Sequence, residues 1–194
     1  METFLSLSLG IGLAAACGFR VFVPLLVLSI AAHTGNVTLS PAFVWIGSTP
    51  ALITFSAATV LEIAGYYIPW LDNLLDSIAT PAAVVAGTVV TAAVLTNISP
   101  YLQWTLALVA GGSIAGLVQG STVATRLIST SSSAGLVNPV VATAELGVSG
   151  FLSALSVIWA PVALALVLVL LVCIAVVVWR RIVRSDKMPT PTAG

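Results

Sequence analysis

PVALALVLVLLVCIAVVVW, from Pro161 to Trp179, runs nineteen residues without a charged side chain. Crossing the ~30 Å hydrocarbon core of a bilayer as a helix takes about 20 apolar residues, so this stretch reads as a membrane span. Arg180-Arg181-Ile182-Val183-Arg184-Ser185-Asp186-Lys187 follows it directly. A basic border of that kind marks the cytoplasmic end of a span.

The rest of the chain reads the same way. Of its 194 residues, 59% are hydrophobic and 6% charged, and the mean hydropathy is +1.17. A water-facing domain carries roughly a quarter charged residues, so this chain is expected to have lipid as its main solvent. The formal net charge is zero, which leaves no basic surface for nucleic acid.

Working back from Pro161, five more apolar stretches are long enough to span: Phe4 to Ala32, Pro50 to Tyr67, Pro81 to Thr96, Leu102 to Ile128 and Pro139 to Val157. The first is over-long for one straight crossing, and Pro24 is expected to kink it. His33 to Thr49 and the serine-rich Ser129 to Gly135 read as loops. Ile68 to Ser77 carries Leu71, Leu74 and Leu75 at i, i+3, i+4, next to Tyr67 and Trp70, and reads as a short amphipathic helix at the membrane surface. The expected fold is an all-α polytopic bundle of six spans, a single transmembrane domain over 1–188. Residues 185–194 are expected to form a disordered cytoplasmic tail.

Four of the six Lys and Arg residues lie in the C-terminal tail, so the C-terminus is expected in the cytoplasm. An even number of spans then puts the N-terminus there too. Met1-Glu2-Thr3-Phe4 lacks the basic start of a secretory signal, so the first segment is expected to be retained. The expected location is a bacterial inner membrane.

The two halves, 1–97 and 98–184, repeat a pattern. Gly10, Ala14 and Gly18 form a small-residue stripe in the first span; Gly112, Gly116 and Gly120 form one in the fourth. Glu62 and Glu145 lie in the second and fifth spans, and Pro81 and Pro161 open the third and sixth. Three spans per half implies that the halves are inverted, an arrangement that puts binding sites near the midplane between the repeats.

Arg20, Glu62, Arg126 and Glu145 all fall inside spans. An ionised side chain at the bilayer centre costs about 2.5–3.5 kcal/mol, so such groups face protein or water and find partners. Glu62 and Glu145, near the middle of their spans, are candidates for a central site that holds a cation, a proton or a polar solute. The competing reading is a structural Glu–Arg pair, with Arg20 as counter-charge. Arg126, near a span end, can also snorkel to water. Asp72 and Asp76 share a helix face and suit either a solvated surface or an ion-attracting mouth. Asn138 before Pro139 reads as a helix N-cap first and a ligand second. Gln119, Thr122, Thr125 and Thr143 add neutral polarity, and His33 is expected to face water. Cys17 and Cys173 sit in apolar runs and are expected to be packing residues, with no metal site and no cofactor.

Gly18-Phe19-Arg20 through Pro24, Glu62 through Ile68-Pro69-Trp70-Leu71-Asp72 to Asp76, and Gly135-Leu136-Val137-Asn138-Pro139 through Glu145 together resemble a family of small bacterial membrane proteins with plant relatives. That family is catalogued only as a domain of unknown function. The resemblance covers roughly Leu5 to Val172 and implies the membrane fold and the choice of residues, with no activity attached. Tyr66-Tyr67 stands where the family is expected to carry Asp-Lys, and Leu146 follows Glu145 where a second acid is expected.

A transporter or channel for a small solute or ion fits these features. The alternative is a non-catalytic membrane protein that binds lipid or a partner protein, its buried charges purely structural. With one histidine and no nucleophile elbow, Walker loop or metal cluster, an enzyme is not expected. The expected partners are the lipid bilayer, a small solute, cation or proton, and a second copy of the chain in a homo-oligomer; nucleic acid is not expected.

Overall fold

The first apolar run does not cross as one kinked helix. In the computed structural model, which describes residues 1–133 and 137–185 (without the side chains of 69, 70, 72, 73, 132, 133 and 181–185), α1 spans Glu2–Cys17 and α2 spans Phe22–His33. The N–H groups of Gly18, Phe19 and Arg20 bond back to the carbonyls of Ala14, Ala15 and Ala16 and close the last turn of α1. The chain then reverses. Pro24 is not the break. It lies in the first turn of α2, where a missing N–H leaves no bond unmade.

Both ends of this hairpin lie at the same end of the molecule. Glu2 and Leu5 at the start of α1 share one groove of about 710 Å³ with Asn36, Val37 and Thr38 beyond α2. The tip at Gly18–Val21 therefore points into the bundle, and the run Phe4 to Ala32 enters and returns.

A 3-10 segment, Pro41–Gly47, leads into α3, Thr49–Gly65, with a bend of 64° between them. The Ser48 side chain accepts the N–H of Ala51 and caps α3. Next, α4 runs unbroken over Pro69–Val94. The expected surface helix and the expected third span are thus one helix, with Pro81 inside it. Proline is tolerated in helices surrounded by other helices, and here the Thr80 hydroxyl bonds the Asp76 carbonyl in the preceding turn. Then come α5, Pro100–Leu106, a π segment, Ala107–Gly112, and α6, Ser113–Ser133, in one continuous rod. The rod runs through the start of the loop expected from Ser129. The last two helices are α7, Asn138–Ile158, and α8, Ala160–Ser185.

Among the described residues, four helical stretches are long and apolar enough to cross a membrane, or five when the bent 3-10/α3 pair is counted as one span. The first expected span is the hairpin, whose two helices are each shorter. A helix rises about 1.5 Å per residue, so α8 extends about 39 Å from Ala160, which lines the groove at the Glu2 end. Glu2 and Arg180 therefore lie at opposite ends of the bundle. The expectation of both termini on one side rested on the first run crossing fully. Of the expected tail, 185–194, Ser185 ends α8, and residues 186–194 lie outside the described residues.

Leu13, Ala14, Ala15, Ala16 and Cys17 are fully buried, which makes α1 the centre of the fold, against α4, α7 and α8. Small residues allow this closeness. A Cβ on Gly10 would lie 3.0 Å from Thr91 Cγ2, and one on Gly87 would lie 2.5 Å from the Ala115 Cβ and 2.8 Å from the Gly111 carbonyl. The stripes thus serve contacts within the chain, although Gly120 faces open space. Most side chains of α8 are exposed, as befits a lipid-facing helix. Cys173 on α8 is exposed and Cys17 buried; both are free thiols.

The end of α3 lies beside the start of α7, joined by Tyr67 Oη and Thr143 Oγ1 at 2.8 Å. Val94, ending α4, and Ala160, starting α8, share the groove at the other end. Hence α3 and α7 run antiparallel, as do α4 and α8. The first helices of the two halves differ: one half has a hairpin, the other a continuous rod.

Candidate functional site

The chain break at the hairpin tip creates a chemical problem. Val21 and Phe22 begin α2, and their N–H groups have no carbonyl in the preceding turn to bond. Glu62, in the last turn of α3, supplies the missing acceptors. Its Oε1 accepts from Val21 N–H at 2.7 Å and its Oε2 from Phe22 N–H at 3.1 Å. A carboxylate also complements the positive end of the α2 dipole. Glu62 thus acts as a cap from another helix, and it sits near the end of α3 rather than its middle.

Arg20, at the tip itself, reaches α7. Its Nη2 donates to the Ala142 carbonyl at 2.8 Å and lies 3.7 Å from Glu145 Oε2. Its Nε and Nη1 have no hydrogen-bond partner among the described residues. Arg126, from α6, holds Glu145 more firmly. Its Nε donates to Oε1 at 3.2 Å and its Nη2 donates to Oε2. The third nitrogen, Nη1, lies 3.4 Å from Asp76 Oδ1 on α4. Both guanidinium groups lie over the ring of Tyr66, Arg20 at 3.7 Å and Arg126 at 4.3 Å from its centre. Cation–π contacts of this kind strengthen when desolvated. The exposures are 2% for Arg20, 3% for Arg126, 6% for Glu145 and 8% for Glu62.

Five of the seven expected site residues therefore meet: Arg20, Glu62, Asp76, Arg126 and Glu145. Arg20 lies against Glu145, while Glu62 is held by backbone amides. Arg126 does not snorkel; it is buried between two carboxylates, because α4 and α7 each bring an acid to it two turns from their start. Asn138 is the first residue of α7, and the N-cap position falls to Val137. The Asn138 side chain donates to Thr130 Oγ1 at 3.1 Å and ties α7 to α6. The side chain of Asp72 lies outside those described. His33 is exposed, as expected, with its ring Nδ1 2.9 Å from the Gly47 carbonyl oxygen.

The sequence reading missed the importance of Tyr66, treating it only as a departure from a family pattern. The available signal was spacing: Tyr66 is four residues after Glu62, on the same face of the helix. It also missed Ser149, whose hydroxyl donates to the Ala16 carbonyl at 3.0 Å and fastens α7 to the hairpin.

A cleft of about 390 Å³ opens on the side of the bundle between α6 and α7, beside Phe19 of the tip. Glu145 forms part of its wall, with Ser121, Thr122 and Thr125 from α6.

A family model described as Domain of unknown function (DUF4126) matches residues 7–181. No curated protein and no solved structure matches the chain.

Proposed function

Because the chain belongs to the DUF4126 family, whose description carries no activity, we propose its function from the site itself: a small membrane transporter or channel that moves a small solute or ion past the tip of the α1–α2 hairpin. One observation carries this reading. A helix break stands inside an apolar bundle, with Arg20 at its tip and two buried nitrogens of that side chain, Nε and Nη1, without a hydrogen-bond partner among the described residues. Non-helical backbone at membrane depth is tolerated where it is enclosed by protein or lines a cavity. In transporters, discontinuous helices of this kind build the binding site. The antiparallel pairs α3/α7 and α4/α8 support the inverted arrangement of the two halves. We place the protein in a bacterial inner membrane and assign it no catalytic chemistry.

A second reading has its own support. Glu145 is engaged by Arg126 through both oxygens, and Glu62 by two backbone amides. Charges satisfied this fully could serve only to lock the bundle of a protein that binds lipid or a partner.

Flux of small cations, anions and polar solutes into proteoliposomes separates the two readings, with wild type compared against Arg20→Gln and Glu145→Gln. Transport predicts flux in wild type and its loss in variants that still unfold cooperatively. A wild type that moves nothing, with variants that only lose stability, favours the second reading.

A further inference from the structure

We propose that the cleft between α6 and α7 binds an amphipathic organic ammonium, its apolar body between the helices and its N–H groups on Glu145. This names a substrate class for the proposed transport site and rests on that reading for its purpose, though not for its chemistry.

The polar atoms of the cleft wall differ in what they still have to offer. Ser121 Oγ donates its hydrogen to the Val118 carbonyl at 2.7 Å. Thr122 Oγ1 donates to the Gln119 carbonyl and Thr125 Oγ1 to the Ser121 carbonyl, each at 2.9 Å. All three hydroxyl hydrogens are thus committed to the backbone of α6. What these side chains retain is lone pairs. Glu145, the fourth polar group of the wall, is a carboxylate and has only acceptors to give. A ligand that satisfies such a wall must be a donor.

Charge points the same way: an anion in the cleft would lie against the Glu145 carboxylate with no hydroxyl hydrogen left on the wall to hold it. The remaining wall, Phe19, Val140, Val141, Ala144 and Val148, is apolar. Val140 and Val148 are exposed on the bundle side, so the cleft opens toward lipid and away from the polar groove at the Glu2 end. A molecule that enters sideways must be soluble in the bilayer, which selects an ammonium on an apolar body over a small hydrated ion.

The test uses the full chain in lipid nanodiscs and three radiolabelled probes of equal length: decylammonium, decyltrimethylammonium and decanoate, with binding to empty nanodiscs subtracted. Saturable binding is expected in the order decylammonium, then decyltrimethylammonium, with none for decanoate. The trimethyl probe keeps the charge and lacks N–H donors, so it is expected to bind at least tenfold more weakly. Ala144→Phe, which fills the cleft, should abolish binding. Thr122→Val with Thr125→Val, which removes two acceptors at nearly constant volume, should weaken it severalfold. Thermal unfolding of each variant verifies the fold, and the double valine variant serves if Ala144→Phe is unstable. Decanoate binding as well as decylammonium, no saturable binding by any probe, or binding unchanged in a folded cleft variant would overturn the proposal. Flux is read separately. Decylammonium binding without flux keeps the cleft and removes transport, whereas flux of a small solute without decylammonium binding keeps transport and removes the cleft.

Discussion

Glu62 and Val21 are joined across the helix break by a 2.7 Å bond from the Val21 N–H to the carboxylate. The bond makes the end of α3 a fixed support for the hairpin tip. Replacing Glu62 by Ala leaves two buried amides without acceptors. Hydrogen bonds to charged groups are worth about 1.5–3 kcal/mol, so a loss in that range is expected. Glu62→Gln should be nearly as costly, since its NH₂ faces an N–H donor. Thermal unfolding in detergent measures both, and an unchanged midpoint in Glu62→Ala would contradict the capping role.

The Arg126–Glu145 pair is buried, and removing one member strands the other. Loss of one partner from a buried pair costs about 3–5 kcal/mol. Arg126→Met and Glu145→Leu should each destabilise strongly, while the double variant should be milder than the sum. Asp76, which also faces Arg126, keeps the double variant below wild type. Strict additivity in this cycle would mean that the two side chains do not act as a pair.

Tyr66 is predicted to work through its ring. Tyr66→Phe keeps the aromatic face under both guanidinium groups and should be close to neutral. Tyr66→Leu should cost about 1–2 kcal/mol or more, from two desolvated cation–π contacts. Equal stability of the two variants would rule this role out.

Glycines that look alike in the sequence should separate by mutation. Gly87→Ala forces a carbon against the Gly111 carbonyl and the Ala115 side chain, so overpacking of about 1–3 kcal/mol is expected. Gly120→Ala and Gly147→Ala meet nothing within 4 Å and should be neutral or slightly stabilising, since alanine favours helix. The three midpoints can be read in one unfolding series.

Because α1 and α2 enter and return, single cysteines at Ser6 and at Arg180 should react with a membrane-impermeant maleimide from opposite sides. The background for this labelling is a chain with Cys17 and Cys173 replaced. Labelling of both from one side would restore the crossing of the first run.

The legible part of the fold was the part where hydrophobicity alone decides. The expected last two spans lie inside α7 and α8, and their first residues differ from the helix starts by one. Pro81 misled, because proline reads as a helix start while a membrane helix supported by its neighbours absorbs it. The first run misled for a different reason. The twenty-nine residues from Phe4 to Ala32, largely apolar, look alike whether they cross or turn back, and the turn depends on a carboxylate about forty residues away. The site was legible as a set of buried charges, since burying them has a known cost. Their partners were not, because pairing depends on how four helices meet.

Central burial of α1 has a consequence for biosynthesis. It leaves the ribosome well before α7 and α8, two of the walls that enclose it. Until they arrive, a helix of 16 residues with an unpaired Arg20 behind it must wait beside the translocation machinery, with its small-residue faces open. Contacts of such long sequence separation form late. A helix made early is thus enclosed late.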